Sequence, residues 1–145
     1  MNEDIKILNN LTKGQVVDNN PLNLAFIGDA VWTLFVREFF CEKTHFKNNN
    51  LHKLTTKFVK ATYQSQALDK LQEILTEEEK DIARRARNTK MNTVSKNAPL
   101  ADYKKATSFE AIIGYNYLLG NLNRIKEWFD ILSEDFLKGR KQYGY

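Results

Sequence analysis

Two acidic residues stand in the sequence where an acid is costly. Asp29 lies in the middle of a long apolar run, and Glu110 lies among the apolar residues of another. An ionised carboxylate in apolar surroundings needs a cation, a metal ion or several hydrogen-bond donors. Gly28 directly precedes Asp29, and Gly114 follows Glu110 by one helical turn on the same face. If these glycines let the two segments pack closely, Asp29 and Glu110 can converge on a shared cation.

A second arrangement of the two acids is also compatible with the residues alone. Each acid can pair privately with a basic side chain, Asp29 with Arg37 and Glu110 with Lys105. Structural ion pairs of this kind occur in protein cores, where they also perturb pKa values. A shared metal or catalytic site and two separate ion pairs therefore both stand as interpretations at this point.

Both acids are predicted to lie on strongly apolar helices. The first helix runs from Pro21 to Phe40, because Asn20 can cap its first turn and proline suits the first helical position. Its apolar residues go nearly all the way round, which predicts burial on most sides. The second helix, roughly Ala101 to Leu119, has the same character.

The remaining elements are also predicted to be helical. Apolar residues recur every three or four positions over 51–75, which predicts one long amphipathic helix. Thr76 and Glu79 form the capping box of the next helix. A last helix is predicted from Asn123 to near Gly139. The sequence has no strand alternation of useful length, so we expect an all-α fold, a compact bundle of six or seven helices.

A basic segment follows the capping box. The helix that the box opens ends in R-R-A-R, and the sequence from 88 to 100 then has no clear periodicity and no acid. Dipole complementarity explains one or two basic residues at a helix end. A longer basic segment also suits phosphate binding. Both interpretations stay open for Arg84, Arg85, Arg87, Lys90 and Lys96.

Composition limits the class of protein. The 145 residues suffice for one domain with a proper core, with 1–20 as an N-terminal arm or short helix, and the net charge of +4 weakly favours an anionic partner. Charges interrupt every apolar run and the N-terminus is not built like a secretory signal, so we expect a cytoplasmic protein without a membrane segment. The single Cys41 is expected to fill core space. The two histidines lack the spacing of a zinc site.

The residues around the two acids resemble a known family. F-I-G-D-A-V at 26–31 and F-E-A-I-I-G at 109–114 are similar, in order and spacing, to the signature motifs of the ribonuclease III catalytic domain. L-A-F-I-G-D-A-V and T-E-E-E-K-D-I-A-R-R-A-R-N resemble the Mini-ribonuclease III subgroup, which lacks a double-stranded-RNA-binding domain. The resemblance runs from about Pro21 to the last helix, so we expect residues 1–145 to form a single catalytic domain.

This resemblance implies a function and a role for individual residues. It implies Mg²⁺-dependent hydrolysis of double-stranded RNA to 5′-phosphate and 3′-hydroxyl ends, with Asp29 and Glu110 as catalytic metal ligands. It implies a homodimer with Phe26 at the dimer contact, the alternative being an ordinary core phenylalanine. The five basic residues named above would contact the RNA backbone. The implied substrate is the 23S ribosomal RNA precursor, with a ribosomal protein on that RNA as a possible further partner.

The sequence lacks three acidic residues that the larger members of the ribonuclease III family have in these motifs. Leu22 and Ala25 stand where their first motif has glutamates, and Thr107 replaces the usual aspartate of the second. Two classes of function follow: an endoribonuclease with a reduced acidic set, or a catalytically inactive RNA-binding module of the same fold. Retention of Asp29 and Glu110 favours the enzyme, because acids that repel phosphate bring a binding module no evident benefit.

Overall fold

The computed structural model describes residues 11–89 and 99–141, and these residues form seven α-helices and one short 3-10 helix without any strand. The all-α class predicted from the sequence is therefore confirmed. The α-helices are α1 Lys13–Val17, α2 Pro21–Lys43, α3 Asn48–Val59, α4 Ala61–Leu71, α5 Glu77–Asn88, α6 Leu100–Leu118 and α7 Leu122–Lys141, and the 3-10 helix is Gln72–Ile74. Within the described residues, no helix is long and apolar enough to cross a bilayer.

Helix α6 is the central element of the bundle. It packs against α2, α4 and α5 along most of its length and also contacts α1 and α7. From Ala106 to Asn116 every residue except Glu110 is buried. A helix enclosed in this way must be apolar on nearly all sides, which is the pattern that its sequence has.

Helices α2 and α6 cross at two glycines. A Cβ added at Gly28 would overlap the carbonyl oxygen of Glu110 and lie 2.6 Å from its carbonyl carbon. A Cβ added at Gly114 would overlap the carbonyl oxygen of Leu24 and lie 2.8 Å from its carbonyl carbon. Because these neighbours are backbone atoms that cannot rotate away, the crossing requires glycine in both helices.

Helix α2 begins as predicted, but its burial differs from the prediction. The Asn20 side chain accepts a hydrogen bond from the Leu22 amide at 2.9 Å, and Pro21 is the first helical residue. The prediction of burial on most sides is wrong, since Phe26 is 78% exposed and Leu34 is 59% exposed. Asp29 is exposed as well. Among the described residues, neighbouring helices cover one side of α2, and its other side exposes Phe26, Ala30 and Leu34 together with polar residues.

The predicted single helix over 51–75 is wrong. Lys60 is extended, with ψ 158°, and it separates α3 from α4. Helix α3 contacts α2 and α7, whereas α4 packs mainly on α6. An apolar stripe with helical spacing continues across an extended residue, so periodicity alone did not detect the change of direction.

One smaller prediction is also wrong, since Cys41 is exposed and does not fill the core. Helix α7 ends at Lys141, near the predicted Gly139, and Gly139 is buried against the Phe58 ring inside the helix. Trp128, also on α7, is fully buried in the core.

The capping box of α5 is confirmed and also contributes a buried ion pair. Thr76 and Glu79 exchange the two expected hydrogen bonds. The Glu79 carboxylate also accepts hydrogen bonds from Arg124 Nη2 at 2.7 Å and Nε at 3.0 Å, and from Asn116 at 2.9 Å. Burial raises the pKa of Glu79, but these hydrogen bonds and the charge of Arg124 outweigh it, so the pKa lies below its usual value. The network ties α5 to α6 and α7.

Glu79→Gln should lower the free energy of unfolding at neutral pH by about 3 kcal/mol, because it leaves the mostly buried Arg124 without its partner charge while keeping the capping box. A carboxylate with a lowered pKa stabilises the fold above its unfolded pKa, 4.5, and this contribution is lost as the pH falls through the folded value. The difference in the free energy of unfolding between the wild type and Glu79→Gln, measured by urea unfolding, should therefore become smaller at acidic pH. Glu127→Gln is the control, since it removes an exposed carboxylate from the same arginine. If Glu127→Gln lowers the free energy of unfolding as much as Glu79→Gln does, the stabilising role assigned to the buried Glu79–Arg124 pair is contradicted.

Candidate active site

The α2–α6 crossing brings the two acids together. Asp29 directly follows Gly28 on α2, and Glu110 lies one turn before Gly114 on α6. Both carboxylates line one cavity of about 510 Å³, whose other side is lined by the end of α3, Lys60 and the first turn of α4. The side chains are close enough for a carboxyl–carboxylate hydrogen bond.

The two acids share their electrostatic environment. Burial, and then the hydrogen bond and negative charge of Asp29, raise the pKa of Glu110 to about 9, and a hydrogen bond from Gln64 acts in the opposite direction. A hydrogen bond between two carboxyl groups requires a proton on one of them. Without a cation, Glu110 therefore carries this proton at neutral pH. A cation bound between the acids would displace it.

The alternative of two private ion pairs does not match the geometry. Lys105 Nζ lies 2.6 Å from a carboxylate oxygen of Asp69 and forms an ion pair with that residue. Arg37 lines a different cavity, beside α3. Asp29 and Glu110 face each other instead.

The donors of this site fit a hard divalent cation. The cavity offers the oxygen atoms of two carboxylates, and Gln64 turns its amide nitrogen toward Glu110. Mg²⁺ is typically held by one or two carboxylates and keeps several waters. Across the described part of the chain, no group of three or more His, Cys, Asp or Glu side chains could hold a metal ion. Thr107 lines the same cavity, but its hydroxyl donates to the Tyr103 carbonyl at 3.0 Å.

The sequence analysis missed Gln64. This residue is 2% exposed, and its side-chain nitrogen donates to Glu110 Oε2 at 3.5 Å. Gln64 lies at the start of α4, and the extended Lys60 sets the direction of that helix. A single amphipathic helix over 51–75 gave no reason to place residue 64 beside an acid, so the local sequence carries no signal for this role.

The predicted RNA-binding residues differ in their surroundings. Arg84 and Arg87 are exposed and line a cavity of about 360 Å³ between α4, α5 and α6. Arg85 instead donates to the carbonyls of Val17 and Asn19, at 2.8 and 3.3 Å, and so holds the segment before α2. Lys90 and Lys96 lie outside the described residues. The binding roles stay predictions.

The position of Phe26 excludes one of its two interpretations. With 78% of the residue exposed, Phe26 is not an ordinary core phenylalanine. It lies on the open face of α2, one turn before the exposed Ala30 and on the same side. Its role at a dimer contact stays a prediction.

Comparison with known proteins agrees with this fold. The Ribonuclease III domain family matches residues 22–121, which include both acids and both crossing glycines. The chain belongs to this family. Its similar relatives are Mini-ribonuclease 3 proteins, which supports the assignment of an endoribonuclease.

The similarity extends over most of each relative. The Mini-ribonuclease 3 of Thermoanaerobacter sp. (strain X514) is 45% identical over 121 residues, covering 83% of this chain and 85% of the relative. That of Clostridium tetani (strain Massachusetts / E88) is 47% identical over 117 residues, covering 80% and 78%. A crystal structure of a Fusobacterium nucleatum protein has a TM-score of 0.76 at 37% identity, covering 81% of this chain and 94% of that one.

Proposed function

We propose that the chain is an Mg²⁺-dependent endoribonuclease that hydrolyses double-stranded RNA at the Asp29–Glu110 site. The contact between these two carboxylates carries the proposal. At neutral pH the pair weakens the fold, because burial and the negative charge of Asp29 disfavour the charged form of Glu110. A divalent cation would offset this cost.

The residues of the cavity have separate tasks in the proposed reaction. Asp29 and Glu110 would hold Mg²⁺, with Glu110 losing its proton as the ion binds. When bound, the ion supplies a more acidic water and positive charge near the phosphoryl oxygens. Gln64 orients the Glu110 carboxylate through its hydrogen bond. Hydrolysis would leave a 5′-phosphate and a 3′-hydroxyl.

Double-stranded RNA is the proposed substrate because the described residues include cationic surfaces that suit phosphates. A-form RNA is recognised mostly by shape and by its phosphates and 2′-hydroxyls. The exposed Arg84 and Arg87 are the described residues of the predicted set best placed to contact phosphates. The ends of 23S ribosomal RNA precursors, with or without a bound ribosomal protein, and a cytoplasmic location remain part of this proposal.

The test is incubation of purified protein with a duplex stem from a 23S precursor, with Mg²⁺ or with EDTA. We expect cleavage only with Mg²⁺ and a 5′-phosphate on the downstream product. Asp29→Asn should lower the cleavage rate by at least about 100-fold without loss of helical content. Binding of the stem without any cleavage in Mg²⁺ would favour the inactive RNA-binding module.

The open face of α2 supports a homodimer as part of the same proposal. Phe26, Ala30 and Leu34 follow one another at four-residue spacing on this face, and all three are exposed. Exposed apolar patches of this kind often mark protein–protein contacts. A second copy of the chain would cover them and place one acid pair on each protomer.

Phe26→Asp should convert the dimer to a monomer, because a charge on each side of a twofold contact is repeated in both subunits. The measurement is molar mass by light scattering after gel filtration. Ile131→Asp is the control, since Ile131 is an exposed apolar residue, 44% accessible, on a different helix, α7. Equal molar mass for wild type and Phe26→Asp would contradict the proposed contact.

A further inference from the structure

The joint between α3 and α4 places a lysine beside the acid pair. Lys60 is the extended residue between the two helices, it is exposed, and it lines the cavity of Asp29 and Glu110. Lys60 also lines a second cavity of about 370 Å³ between α3, α4 and α7. The two cavities share Lys60 and Thr62, so they adjoin on the surface.

Three lysines and one acid line the second cavity. Lys57 and Lys138 line it together with Lys60, and Lys138 Nζ lies 3.4 Å from a carboxylate oxygen of Glu134 on the same helix. The acid in its lining, Asp135, lies 2.6 Å from Lys70 Nζ and accepts a hydrogen bond from the Tyr63 hydroxyl at 3.0 Å. Its charge is thus balanced by a lysine outside the cavity lining. We call the surface of Lys57, Lys60 and Lys138 the lysine groove.

We propose that the lysine groove binds the sugar-phosphate backbone of the RNA strand on which the acid pair acts. This inference rests on the proposed function and adds a binding surface to it. Two carboxylates repel an approaching phosphate, and ammonium groups in the adjoining groove counteract this repulsion. Lysines act on phosphates as point charges and carry no base specificity, so the groove would position any duplex of the right shape.

The cavity of Arg84 and Arg87 is the competing cationic surface. It shares no lining residue with the cavity of Asp29 and Glu110. Its Lys105 is held by Asp69 at 2.6 Å, and Arg84 is held by Asp81 at 2.5 Å. Acids offset part of the charge of both cavities, since Lys138 of the groove is paired with Glu134. Of these two cavities, however, the lysine groove alone shares lining residues with the cavity of the acid pair.

The salt dependence of RNA binding tests the lysine groove. Duplex binding is measured by fluorescence anisotropy in EDTA, where no divalent ion competes, over a range of KCl. Each lost phosphate contact lowers the slope of log affinity against log salt by roughly one unit. The variant with all three groove lysines changed to glutamine should lose about two to three units. The control, Lys43→Gln with Lys47→Gln and Lys126→Gln, removes three exposed charges elsewhere and should keep the wild-type slope.

Single substitutions separate a contact from a general charge effect. Lys60→Gln should lower the slope by about one unit, and Lys60→Arg should leave it unchanged. Equal slopes for the groove and control variants would overturn the inference, as would loss of slope confined to Arg84→Gln and Arg87→Gln. If the wild type cleaves RNA but the triple groove variant keeps the wild-type salt slope, only the role of the lysine groove is refuted. If the triple variant has a lower slope but the wild type does not cleave, the enzymatic function is refuted and the binding role of the groove stands.

Discussion

Glu110→Gln should abolish RNA cleavage and, at alkaline pH, stabilise the folded protein. The cleavage rate should fall at least about 100-fold, because the amide removes one of the two anionic ligands. The stability should rise because burial and Asp29 hold the pKa of Glu110 at about 9. A residue whose removal strengthens the fold while ending activity is kept for its chemistry and not for packing.

The sign of the stability effect follows from proton binding. A raised pKa means that the folded state binds more protons than the unfolded state between 4.5 and about 9. The wild type therefore loses stability as the pH rises through this window, by up to about 1.4 kcal/mol per pH unit. Glu110→Gln lacks this dependence, so its advantage should grow from about pH 5 to about pH 8.

Urea unfolding in EDTA at both pH values measures the effect, and repetition with Mg²⁺ gives a second reading. Ligand binding to the native state should stabilise the wild type and have much less effect on Glu110→Gln. Glu42→Gln makes the same change at an exposed position of α2 and should show neither response. Parallel pH profiles for wild type and Glu110→Gln would refute the shared-proton arrangement.

Gly28→Ala should be the most destabilising single-methyl substitution in the part of the chain that the structure describes. The added Cβ would overlap the Glu110 carbonyl oxygen and lie 2.9 Å from the Gly114 amide nitrogen. Helices α2 and α6 would have to move apart along a contact that organises the bundle. We expect a loss of about 3 kcal/mol, at the upper end of measured overpacking costs.

The same displacement should also reduce catalysis. Asp29 and Glu110 meet only because the two backbones touch, and a shift of about 1 Å at a reactive site can cost about 100-fold in rate. Gly14→Ala is the matched control, because its new Cβ would lie 3.9 Å from the nearest atom, Thr12 Oγ1. Alanine is also the better helix former, so Gly14→Ala should be neutral or slightly stabilising. A Gly28→Ala unfolding midpoint equal to that of the wild type would contradict the close crossing.

The sequence by itself determined much of the fold. Helical periodicity and the absence of strand alternation predicted the all-α class, and the caps at Asn20 and Thr76 marked two helix starts correctly. These features depend on neighbouring residues, so local sequence is sufficient to predict them. The sequence also singled out Asp29 and Glu110, because an acid in an apolar run is costly whatever surrounds it.

Only the tertiary structure decided how these parts are arranged. It showed that Asp29 is exposed, that α3 and α4 are separate, and that Gln64 and Lys60 lie beside the acid pair. It also showed Arg85 bonded to backbone carbonyls. The pattern of one helix reports which of its sides are apolar, but not which side a neighbour covers or where the chain turns. Exposure, and the meeting of residues far apart in the chain, follow from the packing of several helices at once, and here from the contact of α2 with α6 at two glycines.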